Sequence, residues 1–254
     1  QRLGYSILVC VLLLLCAACD KEEAIPAYIY IESIELNVKS DRSQGSDAHE
    51  IVDAWVYVGG TFIGAFELPA QIPVLKEGEQ LLSVIAGIKK NGQASQRVLY
   101  PFYTTYESSR EFIPSKIDTV KPVVTYRDAC KFVWLEDFED QTTTLVKSGS
   151  NSSVDTLKII DDPAHVFDYN GVSEKFSATG QLDTGFQIFE FSSNQNFDLP
   201  RAGAEVYLEF NYKANLELIA GIYPINGQVV NGIPIVNYFP TSEWKKAYVS
   251  LTAD

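Results

Sequence analysis

Four acidic side chains crowd one short stretch, "LEDFED": Glu136, Asp137, Glu139 and Asp140. Carboxylate oxygens at that density are hard ligands of the kind that suit Ca2+. A solvated acidic turn is the competing reading. The second reactive set is aromatic. Trp55, Trp134, Trp244, Tyr223 and the tyrosines of "YPFYTTY" (Tyr100, Tyr103, Tyr106) could stack their faces on the C–H faces of sugar rings. Neighbouring amides or carboxylates would then bond the hydroxyls. Core packing is the more ordinary fate of an indole, and packing between domains suits the tyrosine cluster. Hydrolytic chemistry has little to work with. The two histidines, His49 in a polar loop and His165 in "DDPAHVFD", sit in neither an HExxH nor a nucleophile-elbow context. No Gly-rich phosphate loop is present. Paired carboxylates for glycoside hydrolysis depend on separation in space, which sequence spacing does not report. The chain reads as non-enzymatic.

The elements that must position these groups begin with the N-terminus. Arg2 is the only charge before Asp20, and the run between them is rich in Leu and Val. At roughly 14 residues it is shorter than the ~20 needed to span a bilayer, and it fits the apolar core of a secretory signal. It ends in Cys16-Ala17-Ala18-Cys19, which resembles a bacterial lipobox, with Cys16 where that family usually carries Leu. The resemblance implies removal of residues 1–18, lipidation of Cys19 on sulfur and N-acylation. Residues 19–27 then form an acidic tether. Within it, Lys21, Glu22 and Glu23 resemble the export tag of lipoproteins that Bacteroidota-type bacteria display on their outer surface. A charged linker is the plainer reading of such a run. Several acyl chains anchor firmly, where one alone holds marginally. The expected location is therefore the outer membrane, lipid-anchored and exposed at the cell surface. Gln1 stands where an initiator Met would, and Met is absent throughout, so the N-terminus is expected to be clipped.

That maturation settles the cysteines. Cys10 and Cys16 leave with the signal, Cys19 becomes a thioether, and Cys130 remains alone. Neither an intrachain disulfide nor a cysteine metal cluster is then expected, and Cys130 reads as a small buried hydrophobe.

Composition narrows the partners. The 254 residues are 46% hydrophobic and 21% charged, with a formal net charge of −13. That balance excludes nucleic acid, which needs a basic face, and disfavours electrostatic docking to anionic lipid. Val, Ile, Tyr, Phe and Thr between frequent Gly and Pro predict an all-β chain. A first β-sandwich is expected over 28–113. In it, "YIYIESIELNV" alternates with a slip at Ser33, Gly59-Gly60 turns one hairpin and Asn91-Gly92 another. Residues 114–131 are expected to connect the two units by an edge strand. A second sandwich follows over 132–254, with Asn226-Gly227 and Asn231-Gly232 as turns. In its "EVYLEFNYKA", Val206, Leu208, Phe210 and Tyr212 share one face, and Tyr207, Glu209, Asn211 and Lys213 the other. That alternation predicts a half-buried antiparallel strand.

Two resemblances attach to these units. "VYVGGTFIG" with "PVLKEGEQLLSVIAGIKKNG" resembles the PEGA-type and Ig-like modules of bacterial envelope proteins, which implies a spacer or docking unit. "DFE" at 137–139, "YLEFNYKA" and "EWKKAYVSLTA" resemble the jelly-roll carbohydrate-binding modules of bacterial surface proteins and glycosidases. By the stacking chemistry above, Trp134, Tyr223 and Trp244 are this unit's candidate ligand contacts, while the resemblance puts Trp244 where jelly rolls bury an indole and implies a structural calcium ion held in part by Glu139. Such modules usually close with further strands, so a truncated jelly roll is expected. Two roles follow from different classes. One is a non-catalytic surface lipoprotein that binds neutral polysaccharide. The other is a structural or adhesive envelope protein whose β-domains contact other proteins, since fold alone does not assign function.

Overall fold

A computed structural model describes residues 24–148, 157–200, 203–225 and 232–252. Cys19, Lys21, Glu22, Glu23 and the expected turn at Asn226-Gly227 lie outside the described residues. The chain is all-β, as its composition predicts. No helix among the described residues is long and apolar enough to cross a membrane.

The first unit is a sandwich of ten strands. They are β1 (Ala27–Ile31), β2 (Glu35–Asn37), β3 (Ile51–Val58), β4 (Thr61–Glu67), β5 (Ala70–Val74), β6 (Gly78–Lys89), β7 (Arg97–Leu99), β8 (Tyr106–Phe112), β9 (Ile117–Val120) and β10 (Val123–Thr125). One layer runs β4-β3-β6-β7, with β8 pairing the N-terminal half of β6. The facing layer is β5-β1-β9, continued by β10-β2. Alternation explains the burial. Ile29 and Ile31 of β1, Ile72 and Val74 of β5, Val56 and Val58 of β3, and Leu82 and Val84 of β6 all point into one core. Burying aliphatic side chains of this size stabilises by roughly 1.5–3 kcal/mol each.

Turn chemistry matches the strands. Gly59 and Gly60 adopt φ of 52° and 73°, the doubly left-handed hairpin that two glycines make without a Cβ clash. The slip at Ser33 is a break between β1 and β2, with both Ile31 and Ile34 still buried. A matching break separates β9 from β10 at Lys121-Pro122, where proline has no N–H to donate and its carbonyl accepts from Glu35 N at 3.0 Å. The segment 114–131, expected to connect the units, contributes to the first sandwich instead. β9 and β10 pair in parallel with β1 and β2, because Val120 and Val124 alternate into its core.

The second unit pairs its strands two by two. β11 (Leu145–Lys147) joins β16 (Phe191–Ser193), β12 (Lys158–Ile160) joins β15 (Ser177–Thr179), and β13 (Asp168–Tyr169) joins β14 (Val172–Ser173). The longer pairs are β17 (Tyr207–Ala214) with β20 (Thr241–Ser250), and β18 (Leu218–Ile222) with β19 (Ile233–Tyr238). These last two pairs share a core of Ala220, Val236, Tyr238, Ala247 and Val249, closed by Leu208, Phe210 and Tyr212. Much of "TGFQIFEFS" is turn and loop up to Phe191, despite its aromatic and β-branched residues.

Sequence alternation gives β17 a polar face, and the first sandwich covers its Tyr207 and Glu209 end. Glu209 on that face accepts hydrogen bonds from the hydroxyls of Tyr100 at 2.5 Å and Tyr126 at 2.8 Å, and pairs with Lys246 at 3.0 Å. Beside it the Tyr103 and Tyr248 hydroxyls share a bond of 3.0 Å, and Glu50 N donates to Tyr248 Oη at 3.2 Å. Rings of Tyr100, Tyr103, Tyr207 and Tyr248 meet edge-to-face. Of the tyrosines of "YPFYTTY", Tyr100 and Tyr103 thus pack between the two units, whereas Tyr106 stays in the first, its hydroxyl accepting from Arg110 at 3.0 Å. Burial raises the phenol pKa of Tyr100, Tyr103, Tyr126 and Tyr248, so they stay protonated donors.

Candidate functional site

The acidic cluster builds a loop. Glu136 accepts from the backbone N–H of Phe138 and of Thr144, Asp137 from that of Glu139, and Asp140 from the N–H and hydroxyl of Thr142. Carboxylates that bond the amide two residues on are turn formers, and Phe138 and Gln141 between them take left-handed φ. Glu139, expected as a calcium ligand, points elsewhere. One oxygen accepts the backbone N–H groups of Lys175 and Phe176 at 3.0 and 3.1 Å, and the other lies 3.8 Å from the Arg42 guanidinium, which also pairs with Glu174. A cation side chain therefore stands beside this carboxylate. Among the described residues no group of three or more His, Cys, Asp or Glu is placed to hold a metal ion.

The three expected ligand-binding aromatics are not brought together. Trp134 gives its indole N–H to Thr144 Oγ1 at 2.9 Å and tilts against Phe197. Trp244 gives its own to the Val166 carbonyl at 3.1 Å, edge-on to Phe167, with Lys213 over its ring. Both are half-buried, and an indole whose N–H is spent internally is a packing element. Tyr223 is exposed and rests beside Gly232. Cys130 is half-buried, its thiol donating to the Phe102 carbonyl at 3.4 Å, and burial raises its pKa. It does not act as an activated thiolate.

A different aromatic group lies on the outer surface of the first unit, Phe62 exposed and Trp55 and Tyr57 half-buried. On β3, Trp55 and Tyr57 alternate with the buried Ala54, Val56 and Val58, so their rings lie on the outer face of the first sandwich. The Gly59-Gly60 hairpin folds β4 back beside them, and Phe62, 48% exposed, stacks with Trp55 at 5.7 Å and meets Tyr57 at 5.0 Å. Three rings thus form one aromatic shelf on the outer face of the sheet, their planes inclined by 29° and 46° and the Trp55 indole N–H tucked beneath without a partner among the described residues.

Charged groups border this shelf. Arg97 binds Asp53 at 2.9 Å and Glu67 at 2.7 Å at one end of the same face. Burial raises the Asp53 pKa against the opposing pull of Arg97, while the hydrogen bond from Arg97 lowers that of Glu67. On the other side, β6 and β8 present Glu79, Ser83, Glu107, Ser109 and Glu111 outward, with Ser83 Oγ donating to Glu107 and Ser109 Oγ to Glu79. No salt bridge among the described residues reaches Glu79, Glu107 or Glu111. Aromatic faces beside hydroxyls and unpaired carboxylates can stack on one side of a polyhydroxylated ring and accept its O–H donors.

Sequence reading singled out Trp55 but missed Tyr57, Phe62 and Glu107. The available signal was parity: the two rings of β3 share the register opposite to its valines. A cavity of about 300 Å³ lies in the second unit, lined by Leu145, Lys147, Leu157, Phe189 and Phe191 among others, and it brings no catalytic set together. Comparison with protein families, curated proteins and solved structures finds no match to this chain.

Proposed function

We propose that this protein is a non-catalytic, lipid-anchored protein of the outer-membrane surface that binds neutral glycans. The observation that carries the reading is the shelf of exposed Phe62 with half-buried Trp55 and Tyr57, on a sheet face whose carboxylates have no cation partner among the described residues. An aromatic face suits the face of a sugar ring, and each well-placed ring contributes about 0.5–1.5 kcal/mol beyond its buried area. Affinity per site is then weak, and many tethered copies acting on one polymer supply the avidity. The net charge of −13 repels polyanions, which favours neutral chains. The lipobox-like Ala17-Ala18-Cys19 and the tag-like Lys21-Glu22-Glu23 support the anchor and the outward address.

The test has two arms. Fatty-acid labelling of cells should mark the native chain and not Cys19→Ser; equal label on both removes the anchor from the reading. Calorimetric titration of the full chain, in a non-glycosidic detergent, should show binding to some members of a neutral polysaccharide panel and none to uronate polymers. Silence across the panel from a folded protein overturns the glycan reading in favour of a structural envelope role.

A further inference from the structure

The shelf belongs to a longer feature that runs across the strands. In an antiparallel sheet, residues directly opposite in register share a face. Phe62 on β4 is opposite Tyr57 on β3, Tyr57 is opposite Ser83 on β6, and Ser83 is opposite Glu107 on β8. These four side chains therefore form one outward row over four adjacent strands. Its chemistry changes in order: two aromatic rings, a hydroxyl, then a carboxylate. At about 4.8 Å between neighbouring strands the row spans about 14 Å, close to the length of three linked pyranose rings.

Contacts along the row agree with one continuous site. Tyr57 and Phe62 meet at 5.0 Å, and Ser83 Oγ lies 3.3 Å from Glu107 Oε1. Trp55 flanks the aromatic end, stacked on Phe62, and Leu81, 48% exposed, flanks the Ser83 end. Glu107 has two oxygens and one serine donor on it, so it keeps acceptor capacity for a vicinal hydroxyl pair. It also has no cation partner among the described residues, which sets this end against a carboxylate-bearing sugar.

Resting on the glycan reading above, we infer that a neutral oligosaccharide lies across the strands along Phe62, Tyr57, Ser83 and Glu107. Its first rings stack on the two aromatics, and the hydroxyls of a ring further along donate to Glu107. The site reads chain length, because only a trisaccharide or longer reaches from the aromatic end to the carboxylate. It also reads charge, because an acidic ring at the Glu107 end meets an uncompensated negative group.

Isothermal titration of the full chain with neutral oligosaccharides, disaccharide to hexasaccharide, drawn from the polysaccharide that binds, tests this. Affinity should rise about tenfold from disaccharide to tetrasaccharide and then level off. Phe62→Ala should weaken every length. Glu107→Gln should remove most of the gain beyond the disaccharide and reduce discrimination against a uronate oligosaccharide. Both side chains are exposed, so circular dichroism should show both variants folded. Equal affinity at all lengths, or a Glu107→Gln variant indistinguishable from the native chain while Phe62→Ala loses binding, overturns the row and leaves the glycan reading standing. Absence of binding to every saccharide overturns both.

Discussion

Burial holds the His49 imidazole neutral at the junction of the two units. Its Nδ1 accepts from Ile51 N at 3.3 Å, and its ring meets Tyr169 edge-on at 5.9 Å. Burial lowers its pKa to about 4, with Lys246 pushing the same way and Asp47 opposing. The unfolded chain protonates this group near its ordinary value of 6.5, so between 6.5 and 4 the unfolded state binds more protons. Stability is therefore complete above 6.5 and falls through that window by about 3 kcal/mol on account of this residue. His49→Gln keeps an acceptor and does not titrate. Urea midpoints measured above pH 6.5 and near pH 4 should separate widely in the native chain and less in the variant; equal separation in both would remove His49 as the cause.

Between elements, the Asn91-Gly92 turn does more than reverse the chain. Sequence marks it as a turn, and Asn91 and Gly92 take φ of 55° and 66°. Its tip also touches the second unit. Asn91 Oδ1 accepts the Ser250 N–H at 2.8 Å, and a Cβ on Gly92 would sit 2.7 Å from Cε1 of the Tyr238 ring. Gly92→Ala thus combines backbone strain with overpacking, for an expected loss of about 1–3 kcal/mol. Amide exchange at Ser250 should quicken in this variant while amides at the Val58 end of β3, paired with Leu82 at the other end of β6, stay protected. Unchanged exchange at Ser250 would mean that the turn does not hold β20.

For the molecule as a whole, the Glu209 network makes one body of two β-units. Glu209 and Lys246 side chains are 17% and 10% exposed, so this is a desolvated pair with two further tyrosine donors. Removing one partner of such a pair leaves the others buried without compensation, at about 3–5 kcal/mol. The native chain should unfold in one calorimetric transition. Glu209→Ala should lower the midpoint and split the transition in two, because each unit keeps its own apolar core. A single transition at the native temperature would show that the contact contributes nothing to coupling.

The features legible in the amino-acid sequence are local ones. Period-two alternation over 51–58 and 205–214, the Gly59-Gly60 and Asn91-Gly92 turns, and β-rich composition specify an all-β chain, because each depends on residues within one strand or hairpin. The acidic turn at 136–140 was also among the readings available from local spacing. Only tertiary structure decided which polar strand face would be covered and which aromatic face left open. Tyr100 and Glu209 stand 109 residues apart, Tyr103 and Tyr248 145, and no local pattern pairs them. The same holds for the tryptophans. The indoles of Trp134 and Trp244 find internal acceptors, whereas Trp55 stays on the outer face because the second unit docks against Tyr100, Tyr103 and Tyr126 instead. An alternating strand has two faces of fixed chemistry, and what comes to lie on each is a property of the rest of the chain.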